Sequence, residues 1–224
     1  MARKTKADAL KTRQLLIDAA IEQFAQHGVT NTTLSDIADA AGVTRGAVYW
    51  HFSNKTELFN DMWEQQVPLR DIIKNIRTEN ENPLMDLREK FIFSLQYVAE
   101  TPKQRALLQI LYHKCEFTAE MISEEKIRDK VCCNRNALRE SLSKCIRYGY
   151  LPSDINTDVI VIMLRGFFSG IIKNWLMEPG QCNLYQQAPV FVDNIMSTFT
   201  RAQYNPPVSV DSLNPYCDTV RTQG

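Results

Sequence analysis

The segment Arg45 to His51, RGAVYWH, carries a guanidinium, a phenol, an indole and an imidazole within two helical turns. Neighbouring helical positions point about 100° apart, so Tyr49 and Trp50 cannot both face one core. Val48 and Phe52 are four apart and share a face that packs inward. Arg45, Gly46, Tyr49 and Trp50 are then left for a partner outside the chain. An arginine can donate two bonds to guanine O6 and N7, Gly46 and Ala47 let a backbone come close, and Tyr49 offers a ring and a hydroxyl. That set suits a helix lying in the major groove of DNA.

Groups suited to phosphates stand around it. Lys55 opens the next helix, where free N–H groups and the helix dipole favour an anion. His51 and Thr33 can donate to phosphate oxygens, which positions a module without reading bases. Thr44, the cap of the reading segment, and Lys6 complete the expected DNA surface. Lys6 belongs to a cationic start: residues 1–13 hold Arg3, Lys4, Lys6, Lys11 and Arg13 against Asp8, so 5 − 1 = +4, a charge that suits a phosphate backbone. The whole chain, with 26 cations and 26 acids, is neutral.

These residues need helices to hold them. Apolar residues recur at three- and four-residue spacing almost throughout and no alternating run appears, so the fold expected is all-α. A first helix over 8–27 ends at Gly28. Thr33 and Asp36 in TLSD have capping-box form and open a second helix, which buries Leu34, Ile37, Ala38 and Ala41 and stops at Gly42. A short third helix runs from Arg45 to about Phe52. Three helices with a tight Gly-containing turn before the last make a helix-turn-helix. Beyond it, helices are expected over 55–79, 84–100, 103–115, 118–148, 157–177 and 186–202, with Pro83, Pro102, Pro152 and Pro179 marking boundaries. The division expected is 1–54 for the DNA-binding domain, 55–204 for a larger helical domain of about nine helices, and 205–224 for a disordered tail.

TTLSDIADAAGVTRGAVYWHFSNKTELF resembles helices two to four of the DNA-binding domain of the TetR family of transcriptional repressors nearly throughout. MARKTKADALKTR at the start and LYHKCEF further on make the chain most similar to the AcrR and AcrS (EnvR) branch, local repressors of multidrug efflux pumps. The resemblance implies a cytoplasmic homodimer that binds a palindromic operator and is released by a small apolar or amphipathic ligand. That branch has an acidic pocket residue where this chain has Val67, so its preference for cationic drugs is not carried over.

The residues offer matching candidates. Met62, Trp63, Val67, Gln109, Tyr112, Phe117 and Met121 supply the aromatic and flexible apolar groups of an adaptable ligand pocket. For the dimer, Ile160, Leu164, Phe167, Phe168, Ile171 and Trp175 form a stripe on one helix, joined by Val192, Ile195 and Phe199 on the last; two such helices per chain would build a four-helix interface. The competing role for that stripe is closure of the chain's own core.

Other chemistry fares worse. His113 and Cys115 are two apart on a helix and do not face each other, no third orienting group is apparent, and no catalytic site is assigned. The six cysteines lack zinc-type spacing, so neither metal nor cofactor is expected. The apolar segment 158–177 is broken by Arg165 and Lys173, which are costly at a bilayer centre, and reads as a buried helix. No secretory leader pattern is present. The alternative to a ligand-released repressor is an architectural or redox-responsive DNA-binding regulator with no small-molecule inducer.

Overall fold

The computed structural model describes residues 6–74, 82–132 and 134–200, and among these every regular element is helical. Arg3, Lys4 and the tail after Tyr204 lie outside the described residues. The head is built from α1 (Lys6–His27), α2 (Leu34–Ala40) and α3 (Arg45–His51). Leu16, Ile17, Ala20 and Phe24 of α1, Ile37 and Ala38 of α2, and Val48 and Phe52 belong to one buried cluster. Gly42 makes the turn between α2 and α3 at φ +66°. A Cβ there would meet nothing within 4 Å, so glycine is required by the backbone angle alone.

The expected helix over 55–79 breaks. α4 (Lys55–Glu64) stops, and α5 (Leu69–Lys74) starts after a bend set by Pro68, which disfavours helix at Val67. α6 (Pro83–Glu100) begins with Asn82 accepting from the N–H groups of Leu84 and Met85, and Pro83 fits the first turn, where no N–H is needed. α7 (Pro102–Gln109) runs into a π turn, Ile110–Lys114. The expected helix over 118–148 is also two: α8 (Glu124–Val131), capped by Ser123, and α9 (Arg135–Arg147), capped by Asn134. α10 (Thr157–Met177) and α11 (Leu184–Thr200) close the larger part, and Arg88 on α6 holds Asp193 on α11 through two bonds of 2.5 and 2.8 Å.

α10 is long and apolar enough to cross a bilayer by length and composition. Its inner row of Ile160, Val161, Leu164, Phe168, Ile172 and Trp175 is instead buried in the core. That row overturns the stripe expected to form a dimer. Ile160, Leu164, Phe168, Trp175, Val192, Ile195 and Phe199 are all buried within their own chain, leaving only Phe167 and Ile171 half-buried. The outer row of α10 is the exposed one: Val159, Ile162 (70% exposed), Met163 and Met177 face outward, and Gly166 and Gly170 have open space beside them. Tyr185 and Val190 on α11 are exposed as well.

Candidate nucleic-acid interface and ligand cleft

On α3, Val48 is fully buried and Phe52 nearly so, while Tyr49 is 50% and Trp50 73% exposed. Thr44 caps the helix by accepting the Ala47 N–H at 3.3 Å. The Arg45 guanidinium carbon lies 5.9 Å from the Tyr49 ring centre, within range of a cation–π contact that pre-orients both. Trp50 and His51 meet edge to face with ring centres 4.6 Å apart. Gly46 has nothing within 4 Å of the place a Cβ would take. Thr44, Arg45, Gly46, Tyr49 and Trp50 are therefore exposed, Ala47 and His51 are half-buried, and Lys6 on α1 is exposed too.

Two expected phosphate contacts are spent inside the chain. The Lys55 ammonium faces inward and donates to the carbonyls of Val29 (2.5 Å), Thr30 (3.1 Å) and Thr32 (2.9 Å). All three of its N–H bonds are used, and partial burial lowers its pKa. The Thr33 hydroxyl donates to the Asp36 carboxylate at 2.8 Å and accepts the Asp36 N–H at 3.2 Å. The carboxylate also takes the Thr33 N–H at 2.8 Å, and these bonds hold its pKa below the usual range. Thr33 is thus a helix cap. Arg13, from the cationic start, pairs with Asp61 on α4 and lies over the Phe52 ring.

The ligand candidates are corrected more widely. Met62 and Trp63 are fully buried in solid packing, where Trp63 meets Phe59 edge to face at 6.1 Å and Phe59 meets Phe117 at 6.2 Å. The Trp63 indole N–H has no hydrogen-bond partner. Val67 is 63% exposed at the bend before α5, and Gln109 and Met121 are half-buried away from any cavity described below. Only Tyr112 lines one.

The space lies beyond the bend, among α5, α6, α8, α9 and α10. An open cleft of about 240 Å³ is walled by Leu69, Ile73, Leu87, Phe91 and Leu138. A narrow inner chamber of about 20 Å³, room for one water, adjoins it: Leu69, Ser94 and Cys132 line both. In the chamber the Tyr112 hydroxyl donates to Ser169 Oγ at 3.2 Å, lies 3.4 Å from Cys132 Sγ and sits beside Arg128, whose guanidinium carbon is 5.2 Å from the ring centre. Burial pushes the Tyr112 pKa far up. Arg165 reaches Asp129 at 2.7 Å. Sequence periodicity could not find this site, because its lining comes from five helices and depends on the breaks at Pro68 and Asn134.

Cysteine chemistry gains nothing at Cys115, Cys132 and Cys145. Burial, reinforced by Glu124 and Glu116, raises the Cys115 thiol to about 11, and burial raises Cys132 and Cys145 as well. A protonated thiol is a poor nucleophile and a poor sensor. His113, offered as its partner, donates through Nε2 to the Lys173 carbonyl at 3.0 Å. Among the described residues no cluster could hold a metal.

A capped recognition helix with an exposed reading face, joined to a helical body with a cleft, defines a DNA-binding regulator. Residues 16–62 match the model for bacterial regulatory proteins of the tetR family, and residues 82–201 that for the C-terminal region of MAATS-type transcriptional repressors. The chain belongs to the TetR family of transcriptional regulators and is not an enzyme. It is 55% identical over 201 residues to the "Probable acrEF/envCD operon repressor" of Escherichia coli (strain K12), covering 89% of this chain and 91% of that one. It is 37% identical over 205 residues to the HTH-type transcriptional regulator AcrR of Shigella flexneri, covering 89% and 94%. The crystal structure of NalD, the secondary repressor of the MexAB-OprM multidrug efflux pump in Pseudomonas aeruginosa, superposes with a TM-score of 0.71 at 29% identity over 88% of this chain and all of that one.

Proposed function

We propose that the chain represses a multidrug efflux operon as a cytoplasmic homodimer, reading a palindromic operator with α3 of each protomer and letting go when a small apolar or amphipathic molecule fills the cleft. The observation that carries this is the pairing of an exposed Arg45–Tyr49 face with a cavity in the same chain. Relatives named as efflux-operon repressors support the target. Residues 1–54 serve as the DNA-binding domain and 55–204 as the sensing and dimerising domain. One short helix reads few base pairs, so two heads on half-sites about 34–36 Å apart supply the rest. The outer row of α10, with Gly166 and Gly170 allowing close approach, pairs with its copy, flanked by Tyr185 and Val190 on α11. A purely architectural role leaves the cleft without a use.

Footprinting on the DNA flanking the protein's own gene, with and without added amphiphiles, tests the proposal. A protected inverted repeat that is lost on adding ligand is the expected result. Protection without symmetry, or protection that no amphiphile relieves, would overturn it.

A further inference from the structure

Among the described residues, the two cavities are lined by five cations, Arg70, Lys90, Lys144, Arg128 and Arg165, against a single acid, Glu140. Each cation has an acidic partner: Arg70 with Asp71 at 3.5 Å, Lys90 with Asp86 at 2.6 Å, Lys144 with Glu140 at 3.1 Å, Arg128 with Glu124 at 2.7 Å and Arg165 with Asp129 at 2.7 Å. Apart from Glu140, those acids do not line the space. Four of the five ion pairs are therefore oriented, with the cation lining the space and the carboxylate away from it. A molecule in the cleft meets a positive potential although the surrounding region is close to neutral, since Coulomb energy falls with distance and the nearer charge dominates.

Resting on the ligand-release reading above, we propose that this cleft takes an anionic amphiphile, a molecule with an apolar body and a carboxylate or sulfate head. The body lies on Ile73, Leu87, Phe91 and Leu138, and the head stays at the open mouth beside Lys90, Lys144 and Arg70. Leaving the head at the mouth avoids stripping a charge of its water, a cost that the small inner chamber could not offset. The lysines are on long flexible stems and can turn toward a ligand carboxylate. Arg70 has the longest of the five pair distances and so the most displaceable partner. Among the described residues that line the space, Glu140 is the one carboxylate that could receive a cationic head, and it is already held by Lys144.

The test uses two probes of equal chain length and opposite charge, decanoate and decyltrimethylammonium, each below its micelle concentration, titrated calorimetrically into the full chain. Decanoate should bind at least about tenfold more tightly than the cation. In the double variant K90Q/K144Q its affinity should fall about tenfold, while Glu140→Gln should raise it. Circular dichroism melts of the variants separate lost binding from lost fold, and Glu140→Gln keeps a readout even if the double variant is unstable. Cation binding equal to or tighter than decanoate, or decanoate affinity unmoved by all three substitutions, would overturn the anionic class and leave ligand release standing. If neither probe binds, this inference falls, and the ligand-release reading then stands or falls by the footprint described above.

Discussion

The N–H of Val29 donates to the carbonyl of Lys114 at 2.8 Å, tying the end of α1 in the head to the end of the π turn in the body. The carbonyl of the same Val29 accepts from Lys55 at the start of α4. Two residues before Lys114, on the same π turn, Tyr112 closes the inner chamber. A π turn is a strained local alternative to α-helix and recurs at functional sites. Cys132, which lines both spaces, lies 3.4 Å from the Tyr112 hydroxyl, so a ligand in the cleft that shifts Cys132 pushes through Tyr112 on a segment whose far end is bonded to the head.

Tyr112→Phe keeps the ring and removes the hydroxyl. Its DNA affinity should stay close to that of the wild type, while the mutual weakening of effector and operator, ~1–3 kcal/mol in a working switch, should shrink toward zero. Ligand titrations with and without operator DNA measure it. A coupling equal to wild type would disconnect Tyr112 from release.

Arg45→Ala and Tyr49→Ala should each weaken operator binding by ~1–3 kcal/mol, the worth of one good base contact. Helicity should be unchanged, because both side chains are exposed. Gel-shift affinity at the wild-type level for Arg45→Ala would remove α3 from the groove.

Lys55→Met should lower the melting temperature, reflecting a loss of ~1–2 kcal/mol after allowing for partial exposure, because three carbonyls of the segment after α1 lose their donor. The salt dependence of DNA binding should be unchanged. A slope smaller by ~1 would return Lys55 to a phosphate.

Ile162→Glu, on the outer row of α10, should give folded monomers by sedimentation with weak DNA binding. Leu164→Glu, two residues on and fully buried, should lower the melting temperature sharply whatever the oligomeric state. If the first variant remains a dimer, the interface lies elsewhere.

The Asp36 carboxylate is held below the usual carboxylate range by the Thr33 N–H and hydroxyl. Its folded pKa is depressed, so its contribution to stability is present above the unfolded value of about 3.9 and is lost as pH falls through the lower folded value. The difference in melting temperature between wild type and Asp36→Asn should be seen at neutral pH and fade as pH falls below the unfolded value of about 3.9. NMR titration of the carboxyl carbon gives the direction directly, and an unshifted midpoint would contradict the capping box.

The head was legible in sequence because its signals are local. The capping box at Thr33, the turn at Gly42 and the four-residue spacing of Val48 and Phe52 each act within one or two turns. The body was legible as helical but not in its breaks, since Pro68 stands within a long run of helix-compatible residues and Asn134 caps α9 inside an uninterrupted apolar rhythm. Burial depends on what packs from outside the segment. Ile160, Leu164 and Phe168 have the same residue types as an interface stripe, and only the placement of α7, α9 and α11 against α10, with Phe91 of α6 stacked on Phe168, makes that face the interior one. Lys55 carries a cationic motif whose direction is set by carbonyls more than twenty positions earlier.

The outward row on α10 and the reading face on α3 occupy separate parts of the molecule, and that separation has a genetic consequence. With chains paired through α10 as proposed above, a mutant allele that spoils Arg45 but keeps Ile162 and Met163 would still pair with wild-type chains and leave each mixed pair with one working head. Such an allele would be dominant over the wild type, because in a cell carrying both only a minority of pairs are intact. An allele that spoils Ile162 leaves wild-type chains to pair among themselves and would be recessive. Derepression in bacteria carrying a second copy of the gene would thus sort mutations by surface.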